Sequence, residues 1–165
     1  MPITKDLSHL LPPVIEIARS AGQLILEIYE KKDYEEFTKS DDTPVTSADL
    51  AAHKLILKKL SELTPDIPVL SEEDADISLE QRSQWDRYWL VDPLDGTQEF
   101  IARSGDFATI IALIEHNKPV MGVVYAPVSG VSYYAYSGKG AWKIPDLNDS
   151  VKIKTHRHEL PNQSI

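Results

Sequence analysis

The chain has 165 residues, of which 42% are hydrophobic and 26% charged, a composition that fits one globular domain with a hydrophobic core. Its net charge of −9 disfavours nucleic acid as a partner, and no apolar stretch is long enough to cross a bilayer. Because the chain has no cysteine, disulfides and thiolate metal sites are excluded.

Apolar spacing predicts two helices in the first part of the chain. The first covers residues 13–31, where apolar side chains recur every three or four positions. A short strand is predicted next, at Tyr34–Thr38. The second helix runs from Ser47 to Glu62 and is preceded by Thr46, and its start, Thr46-Ser47-Ala48-Asp49, is typical of a capping box. His53 on this helix is interpreted as a surface or boundary residue.

Strands dominate the rest of the predicted structure. Ile67–Leu70 and Arg87–Val91 are candidates for buried strands, and short helices are expected at residues 78–85 and Thr97–Ala102. Segments rich in Ile, Val and Tyr then predict an antiparallel meander. Its strands are Ala108–Glu115, Val120–Ala126, Val131–Ser137 and Gly140–Lys143. Helices followed by a meander predict an α+β fold, with layered helices packed on a mostly antiparallel sheet.

One predicted strand runs into two carboxylates, a proline, a glycine and a threonine, in WLVDPLDGTQEF, residues 89–100. Pro93 fixes the backbone and removes one amide donor, which can leave the Leu94 carbonyl free to face a cation. Gly96 permits a close approach of the backbone. The amides of Gly96 and Thr97, at the start of a helical turn, would point at an anion.

Acidic residues follow two predicted strands at the same point. Glu72 and Glu73 come after Val69-Leu70, and Asp92 and Asp95 come after Leu90-Val91. If the two strands are neighbours, these carboxylates meet at the strand ends, where ligands bind in layered α/β structures. They would repel one another unless cations lay between them, and such oxygen-rich clusters suit Mg²⁺ or Mn²⁺ rather than Zn²⁺. The pattern indicates phosphate-ester hydrolysis by a metal-activated water.

Each of these features also has a simpler interpretation. Asp-Gly is common in turns, and Asp92 could cap the helix that follows it. Glu72, Glu73 and Asp74 could form a solvated acidic loop, and Asp49 could serve the capping box alone. Two strand-end acidic segments in one small domain favour the metal site over coincidence.

Three segments, in matching order, resemble the inositol monophosphatase superfamily of magnesium-dependent, lithium-sensitive phosphatases. They are DTPVTSAD at residues 42–49, PVLSEED at 68–74 and WLVDPLDGTQEF at 89–100. Within the superfamily, this last segment and residues 112–127 are most similar to the CysQ-type 3'(2'),5'-bisphosphate nucleotidases. The resemblance covers most of residues 12–144 and implies the N-terminal half of the inositol monophosphatase and sugar phosphatase fold.

The resemblance implies a metal-binding role for five residues. Glu72, Asp92 and the Leu94 carbonyl would bind a first Mg²⁺ ion, and Asp92 and Asp95 would share a second. Glu73 would hold a metal-bound water or a weaker third ion. Two or three ions are therefore expected, with Mn²⁺ as an alternative cofactor and Li⁺ as an inhibitor.

The resemblance also implies three catalytic residues, Asp49, Thr97 and Glu72. Thr97 and Asp49 would position and deprotonate the attacking water, while the amides of Gly96 and Thr97 would hold the substrate phosphate. The implied reaction is the hydrolysis of 3'-phosphoadenosine 5'-phosphate to AMP, without a covalent intermediate. Inositol phosphates and fructose 1,6-bisphosphate remain alternative substrates.

Family members continue into a second domain, whose "WD.AAG"-like element supplies a further metal-binding aspartate. Here Trp142 is followed by Lys143-Ile144, and no such element is present. We therefore expect residues 1–145 to form the metal- and phosphate-binding N-terminal domain and residues 146–165 a polar tail, with the C-terminal domain absent. A truncated, non-catalytic metal- and phosphate-binding domain is the alternative function.

The expected partner is a small phosphorylated substrate, with no nucleic acid. An absent second domain would leave an apolar face open, which favours a homodimer or another association through that face. The family resemblance implies a cytoplasmic location, with peripheral association at a bacterial inner membrane as the alternative.

Overall fold

The computed structural model describes residues 7–32, 34–39, 44–74, 77–145 and 149–155. Within them, a 3₁₀ turn at Leu7–His9 precedes the first helix. The helices are α1 (Leu11–Lys31), α2 (Ser47–Leu63), α3 (Leu79–Arg82) and α4 (Thr97–Ile101). The strands are β1 (Glu36–Thr38), β2 (Pro44–Thr46), β3 (Val69–Ser71), β4 (Arg87–Asp95), β5 (Ala108–Glu115), β6 (Lys118–Ala126), β7 (Val131–Tyr136), β8 (Gly140–Ile144) and β9 (Val151–Ile153). None of these helices is both long and apolar enough to cross a membrane.

Strands β3 to β9 form one sheet in chain order, and β1 and β2 form a separate antiparallel pair. β3 runs parallel to β4, with Ser71 opposite Val91, and every other neighbouring pair in the large sheet is antiparallel. The parallel pair brings the carboxyl ends of β3 and β4 to one edge of the sheet. The predicted α+β fold is confirmed, and the condition for the two acidic strand ends to meet, that their strands are neighbours, is fulfilled.

Helices α1 and α2 pack on each other and on one face of the sheet. The alternation of buried side chains along β4 to β6 matches this arrangement, because successive residues of a strand point to opposite faces. The buried residues on the helix side include Trp89, Val91, Ile111, Leu113 and Val123. On the opposite face Leu90 is 41% exposed.

A cluster of aromatic rings fixes helix α4 beside the end of β4. Phe100 is fully buried, and its ring centroid lies 5.2 Å from that of Tyr29, 5.0 Å from Tyr34 and 5.3 Å from Phe107. Tilted and edge-on contacts of this kind are the favoured aromatic geometries. Because α4 is short, these contacts hold its position more than its own backbone bonds do.

Several predicted boundaries differ from the structure by a few residues, strand β2 was not predicted, and two further differences concern the large sheet. Strand β4 does not end at Val91 but continues to Asp95, since its pairing with β5 resumes after an irregularity between Asp92 and Asp95. The predicted tail also contains strand β9, Val151–Ile153, which pairs with β8. A three-residue edge strand with exposed side chains leaves almost no periodic signal, which explains the second error. Residues 146–148 and 156–165 of the predicted tail lie outside the described residues.

Candidate metal and phosphate site

The segment from Asp92 to Asp95 is held as a bulge at the end of β4. Asp92 pairs with Ile110 and Asp95 with Ala108, so β4 has one residue more than β5 between these pairs. The buried Thr109 side chain donates a hydrogen bond to the Pro93 carbonyl at 3.0 Å. Bulges of this kind turn side chains away from regular alternation. The sequence analysis missed Thr109, although a lone hydroxyl within an apolar strand was an available signal.

Gly96 joins the bulge to helix α4 in a conformation that favours glycine. Its φ is 92°, in the left-handed region. A β-carbon at this position would lie 2.8 Å from the Asp106 carbonyl oxygen, which is backbone and cannot move aside easily. The close approach predicted for Gly96 is therefore present, and its neighbour Thr97 starts α4 as predicted, with both amides at the helix N-terminus.

Gly96→Ala is expected to lower the free energy of unfolding by about 2 kcal/mol or more, because positive φ and the steric clash act together. Urea denaturation of the metal-free protein measures this effect. Gly122→Ala is the matched control, since a β-carbon there meets nothing within 4 Å. Equal losses of stability in the two variants would contradict the argument.

Asp49 lies almost completely buried at the start of α2 and contacts three donors. Its Oδ2 accepts hydrogen bonds from the Thr46 amide at 2.8 Å and the Thr46 hydroxyl at 2.6 Å. Its Oδ1 accepts one from the Thr97 hydroxyl at 3.0 Å. The predicted capping box is present. The structure thus brings Asp49 and Thr97 together across 48 residues, as the family resemblance implied.

The Thr97 hydroxyl has a second acceptor within reach, the Leu94 carbonyl at 3.2 Å. A hydroxyl carries a single hydrogen, so a strong bond to Asp49 leaves the Leu94 carbonyl free to bind another group. The buried Leu94 side chain anchors this part of the bulge in the core. Asp49, Leu94 and Thr97 therefore form one connected unit between α2, β4 and α4.

Glu72 and Glu73 lie on the turn after β3, and both form ion pairs with the side chain of Lys39. The Glu72 amide donates to the Val91 carbonyl at 2.9 Å, which extends the parallel pairing by one step. Lys39 Nζ is 2.9 Å from Oε1 of Glu72 and 2.9 Å from Oε1 of Glu73. The sequence analysis did not identify Lys39, because one lysine in a polar loop gives no distinguishing signal.

The two glutamates differ in exposure, since the side chain of Glu73 is 4% exposed and that of Glu72 is 51% exposed. Burial raises the pKa of Glu73, and Lys39 only partly offsets this effect. For Lys39, burial acts to lower the pKa, but hydrogen bonds and charge contacts with the two glutamates raise it overall. Lys39 therefore stays charged and bridges the two carboxylates.

Asp92 is the most strongly perturbed carboxyl group of the site. Its pKa is raised from an ordinary 3.8 to about 7, first by burial and then by the nearby charges of Glu72 and Asp95. Its Oδ1 is buried and has no hydrogen-bond partner. Burying an oxygen without a hydrogen-bond partner costs free energy. The cost is larger for a carboxylate that lies close to two other carboxylates, because their negative charges repel. The surroundings of Asp92 therefore suit a cation or a hydrogen-bond donor beside its Oδ1.

The donor set fits a hard cation. In the described ranges, no group of three or more His, Asp or Glu side chains lies close enough together to hold one ion, and Glu72 is paired with Lys39. A cation among Glu72, Asp92 and Asp95 would supply the missing partner of Asp92 and reduce the repulsion among the three. All its ligands would be oxygens, which suits Mg²⁺ or Mn²⁺.

A surface cavity of about 740 Å³ adjoins the site on the side of Asp95 and Gly96. Its polar lining also includes Glu99, Ser104 and Asp106. This volume lies within the usual range for small-molecule sites. It therefore offers room for a phosphorylated ligand beside the amides at the start of α4.

The domain thus combines a layered α+β fold with strand-end carboxylates beside a glycine-threonine helix start. The inositol monophosphatase family model matches residues 6–165. The chain belongs to the inositol monophosphatase family.

Among its relatives, the 3'(2'),5'-bisphosphate nucleotidase CysQ of Salmonella typhimurium (strain LT2) is 59% identical over 135 residues, which are 81% of this chain and 54% of the relative. The chain thus spans about half the length of the curated relatives that it matches.

Two solved structures show the same fold. CysQ from Bacteroides thetaiotaomicron, a bacterial member of the inositol monophosphatase family, is 39% identical, with a TM-score of 0.75 over 93% of this chain and 61% of that chain. An inositol monophosphatase/NADP phosphatase complexed with Mg²⁺ and phosphate is 22% identical, with a TM-score of 0.73 over 84% of this chain and 52% of that chain. The second comparison supports the fold alone.

Proposed function

We propose that this chain carries the metal- and phosphate-binding part of a Mg²⁺-dependent phosphomonoesterase of the 3'(2'),5'-bisphosphate nucleotidase type. Its substrate would be 3'-phosphoadenosine 5'-phosphate and its products AMP and phosphate. The observation that carries the proposal is the buried, unpartnered Asp92 oxygen beside Glu72 and Asp95. The identity of 59% to a CysQ nucleotidase supports the choice of substrate.

The metal would be held by Glu72, Asp92, Asp95 and the Leu94 carbonyl, with Glu73 beside them. When bound, the ion supplies positive charge that lowers the pKa of a water molecule and stabilises charge on the leaving oxygen. Lys39 pairs with both Glu72 and Glu73 and offsets part of their negative charge.

Asp49 and Thr97 would move the proton of the attacking water. The Thr97 hydroxyl donates to Asp49 Oδ1, which leaves the lone pairs of the hydroxyl oxygen free to accept a hydrogen from the water. As the water attacks, its proton passes to Thr97 and the Thr97 proton to Asp49. The two bonds from Thr46 to Oδ2 keep Oδ1 directed at Thr97 throughout.

The substrate phosphate would lie against the amides of Gly96 and Thr97 at the start of α4. These two groups are among those that a helix start leaves without partners inside the helix. The cavity beside Asp95 and Gly96 would receive the rest of the substrate. Its acidic lining disfavours a bare anion, so cations bound at the site would have to neutralise the phosphate.

Further properties follow from the same proposal. We infer two or three Mg²⁺ ions per site, replacement by Mn²⁺ and inhibition by Li⁺, in a cytoplasmic protein. Residues 1–145 would form the N-terminal domain of the family's two-domain arrangement. The open face of the sheet, where Leu90 is 41% exposed, would be the surface for a homodimer or another association.

Phosphate release from 3'-phosphoadenosine 5'-phosphate tests the proposed function. We expect release by the 165-residue chain in Mg²⁺, none in EDTA, and slower release from inositol 1-phosphate. A preference for inositol 1-phosphate would contradict the nucleotidase assignment. Mg²⁺ binding without phosphate release from either substrate would contradict catalysis by this chain and favour a non-catalytic metal- and phosphate-binding domain.

A further inference from the structure

His53 connects helix α2 to the turn that carries Glu72 and Glu73. Its Nδ1 is 2.9 Å from the Ser71 hydroxyl oxygen, and its Nε2 is 3.7 Å from Asp74 Oδ1. The side chain of His53 is 14% exposed and Ser71 is 3% exposed. The intermediate exposure agrees with the predicted boundary position of His53, and the structure adds that the imidazole contacts both ends of the turn.

The arrangement contains a serine, a histidine and an aspartate but does not form a nucleophilic triad. Ser71 is almost completely buried at the end of β3, and its hydroxyl lies against His53 Nδ1. Its hydroxyl also accepts a long hydrogen bond from the Glu73 amide, at 3.4 Å. The contacts therefore point to a structural link that ends at the backbone of Glu73.

One assignment of hydrogens is consistent with both hydrogen bonds of this link. When His53 Nδ1 carries no proton, the Ser71 hydroxyl donates to it and the Ser71 oxygen accepts from the Glu73 amide, while Nε2 faces Asp74. The distance of 3.7 Å to Asp74 is too long for a normal hydrogen bond and leaves an electrostatic contact. The Ser71 bond is therefore the stronger connection.

The link matters because His53 lies on α2, the helix that also carries Asp49. His53 lies four residues after Asp49, so both side chains emerge on one face of the helix, one turn apart. Strand β3 has three residues and borders the sheet, so its pairing with β4 alone fixes the turn weakly. Helix α2 thus holds both Asp49, through the capping box, and the Glu72-Glu73 turn, through His53.

We propose that His53 is a positioning residue for metal binding, which fixes the Glu72-Glu73 turn, through Ser71, beside the end of β4 that carries Asp92. This inference rests on the proposed function, because it assigns metal binding to Glu72. Loss of a group that orients a metal ligand commonly weakens metal binding about 10-fold to 100-fold. We therefore expect His53→Ala to raise the dissociation constant for Mn²⁺ about 10-fold or more.

The experiment measures Mn²⁺ binding by electron paramagnetic resonance and amide hydrogen exchange across Ser71–Asp74 in the metal-free protein. His53→Ala and Ser71→Ala should weaken Mn²⁺ binding to similar extents and speed exchange at Glu73, and the double variant should add little. Ser61→Ala, which removes an exposed hydroxyl from the same helix, should change neither quantity.

Two conservative variants separate positioning from general stability. His53→Asn places an amide near the former Nδ1 and should restore most of the Mn²⁺ affinity, whereas His53→Gln reaches the former Nε2 and should not. Unchanged Mn²⁺ affinity and unchanged Glu73 exchange in His53→Ala would overturn the positioning role while leaving the proposed function intact. Failure of the wild-type protein to bind Mn²⁺ would overturn both.

Discussion

Replacing Asp92 with asparagine is expected to stabilise the metal-free protein at pH 8 and to abolish its stabilisation by Mg²⁺. Asparagine has the shape of the carboxyl group but no charge, so burial and the repulsion from Glu72 and Asp95 no longer act against it. The same change removes a charged oxygen ligand from the proposed site. Stability and metal binding therefore change in opposite directions, as is common at functional sites.

The sign of the pH dependence follows from the raised pKa of Asp92. Between an ordinary 3.8 and about 7, the folded state holds a proton that the unfolded state has lost. The contribution of Asp92 to stability is therefore fully present below the lower value and is lost as pH rises through the higher one. Allowing for partial exposure to solvent, we expect a loss of about 1 to 2 kcal/mol.

Urea denaturation at pH 5 and pH 8, with EDTA and with Mg²⁺, measures these effects. The Asp92→Asn variant should gain stability over the wild type in EDTA at pH 8 and less at pH 5. Asp86→Asn is the matched control, because the side chain of Asp86 is 91% exposed and lies outside the site. A Mg²⁺-induced gain of stability that persists in Asp92→Asn would contradict the assignment of Asp92.

Asp49 is expected to produce the second large effect, because one carboxylate serves both the start of α2 and Thr97. Asp49→Ala should lose about 1 to 3 kcal/mol of stability, as the buried Thr46 amide and hydroxyl lose their acceptor. It should also slow phosphate release about 100-fold to 10,000-fold, the usual contribution of a general base.

Asp49→Asn separates these two functions. The amide oxygen can still accept from Thr46, but the amide nitrogen cannot accept a proton from Thr97. We expect this variant to keep most of the stability that Asp49→Ala loses and to release phosphate as slowly. Urea denaturation and phosphate release from 3'-phosphoadenosine 5'-phosphate are the two measurements. Near-normal release by Asp49→Asn would exclude Asp49 as the proton acceptor.

Periodicity predicted the helices and the meander well because these elements are long and bury one face. Strand β5 was predicted with the bounds that the structure shows, Ala108–Glu115. The end of β4 and the edge strand β9 were not predicted, since a bulge and a three-residue strand depend on contacts with neighbouring strands. Local sequence carries little information about such contacts.

The site could be predicted where its residues sit in short ordered motifs. Glu72, Asp92 and Thr97 were predicted as candidate site residues in this way, and the role that the family resemblance implies for Asp49 and Thr97 agrees with the hydrogen bond between them. Lys39 and His53 could not be identified, because their contacts depend on distant segments that meet only in the fold. Charged and polar groups that support a site seldom have a motif of their own.

The central claim is that the carboxyl ends of β3 and β4 hold a divalent cation. Paramagnetic broadening of backbone amide signals by substoichiometric Mn²⁺ tests it most directly, because broadening decreases steeply with distance from the ion. The account predicts selective loss of the amide signals of Glu72, Glu73 and the residues of 92–97 that have an amide. Excess Mg²⁺ should restore these signals, and Mn²⁺ should not broaden them in Asp92→Asn. Broadening centred elsewhere on the described chain, or unchanged by Asp92→Asn, would contradict it.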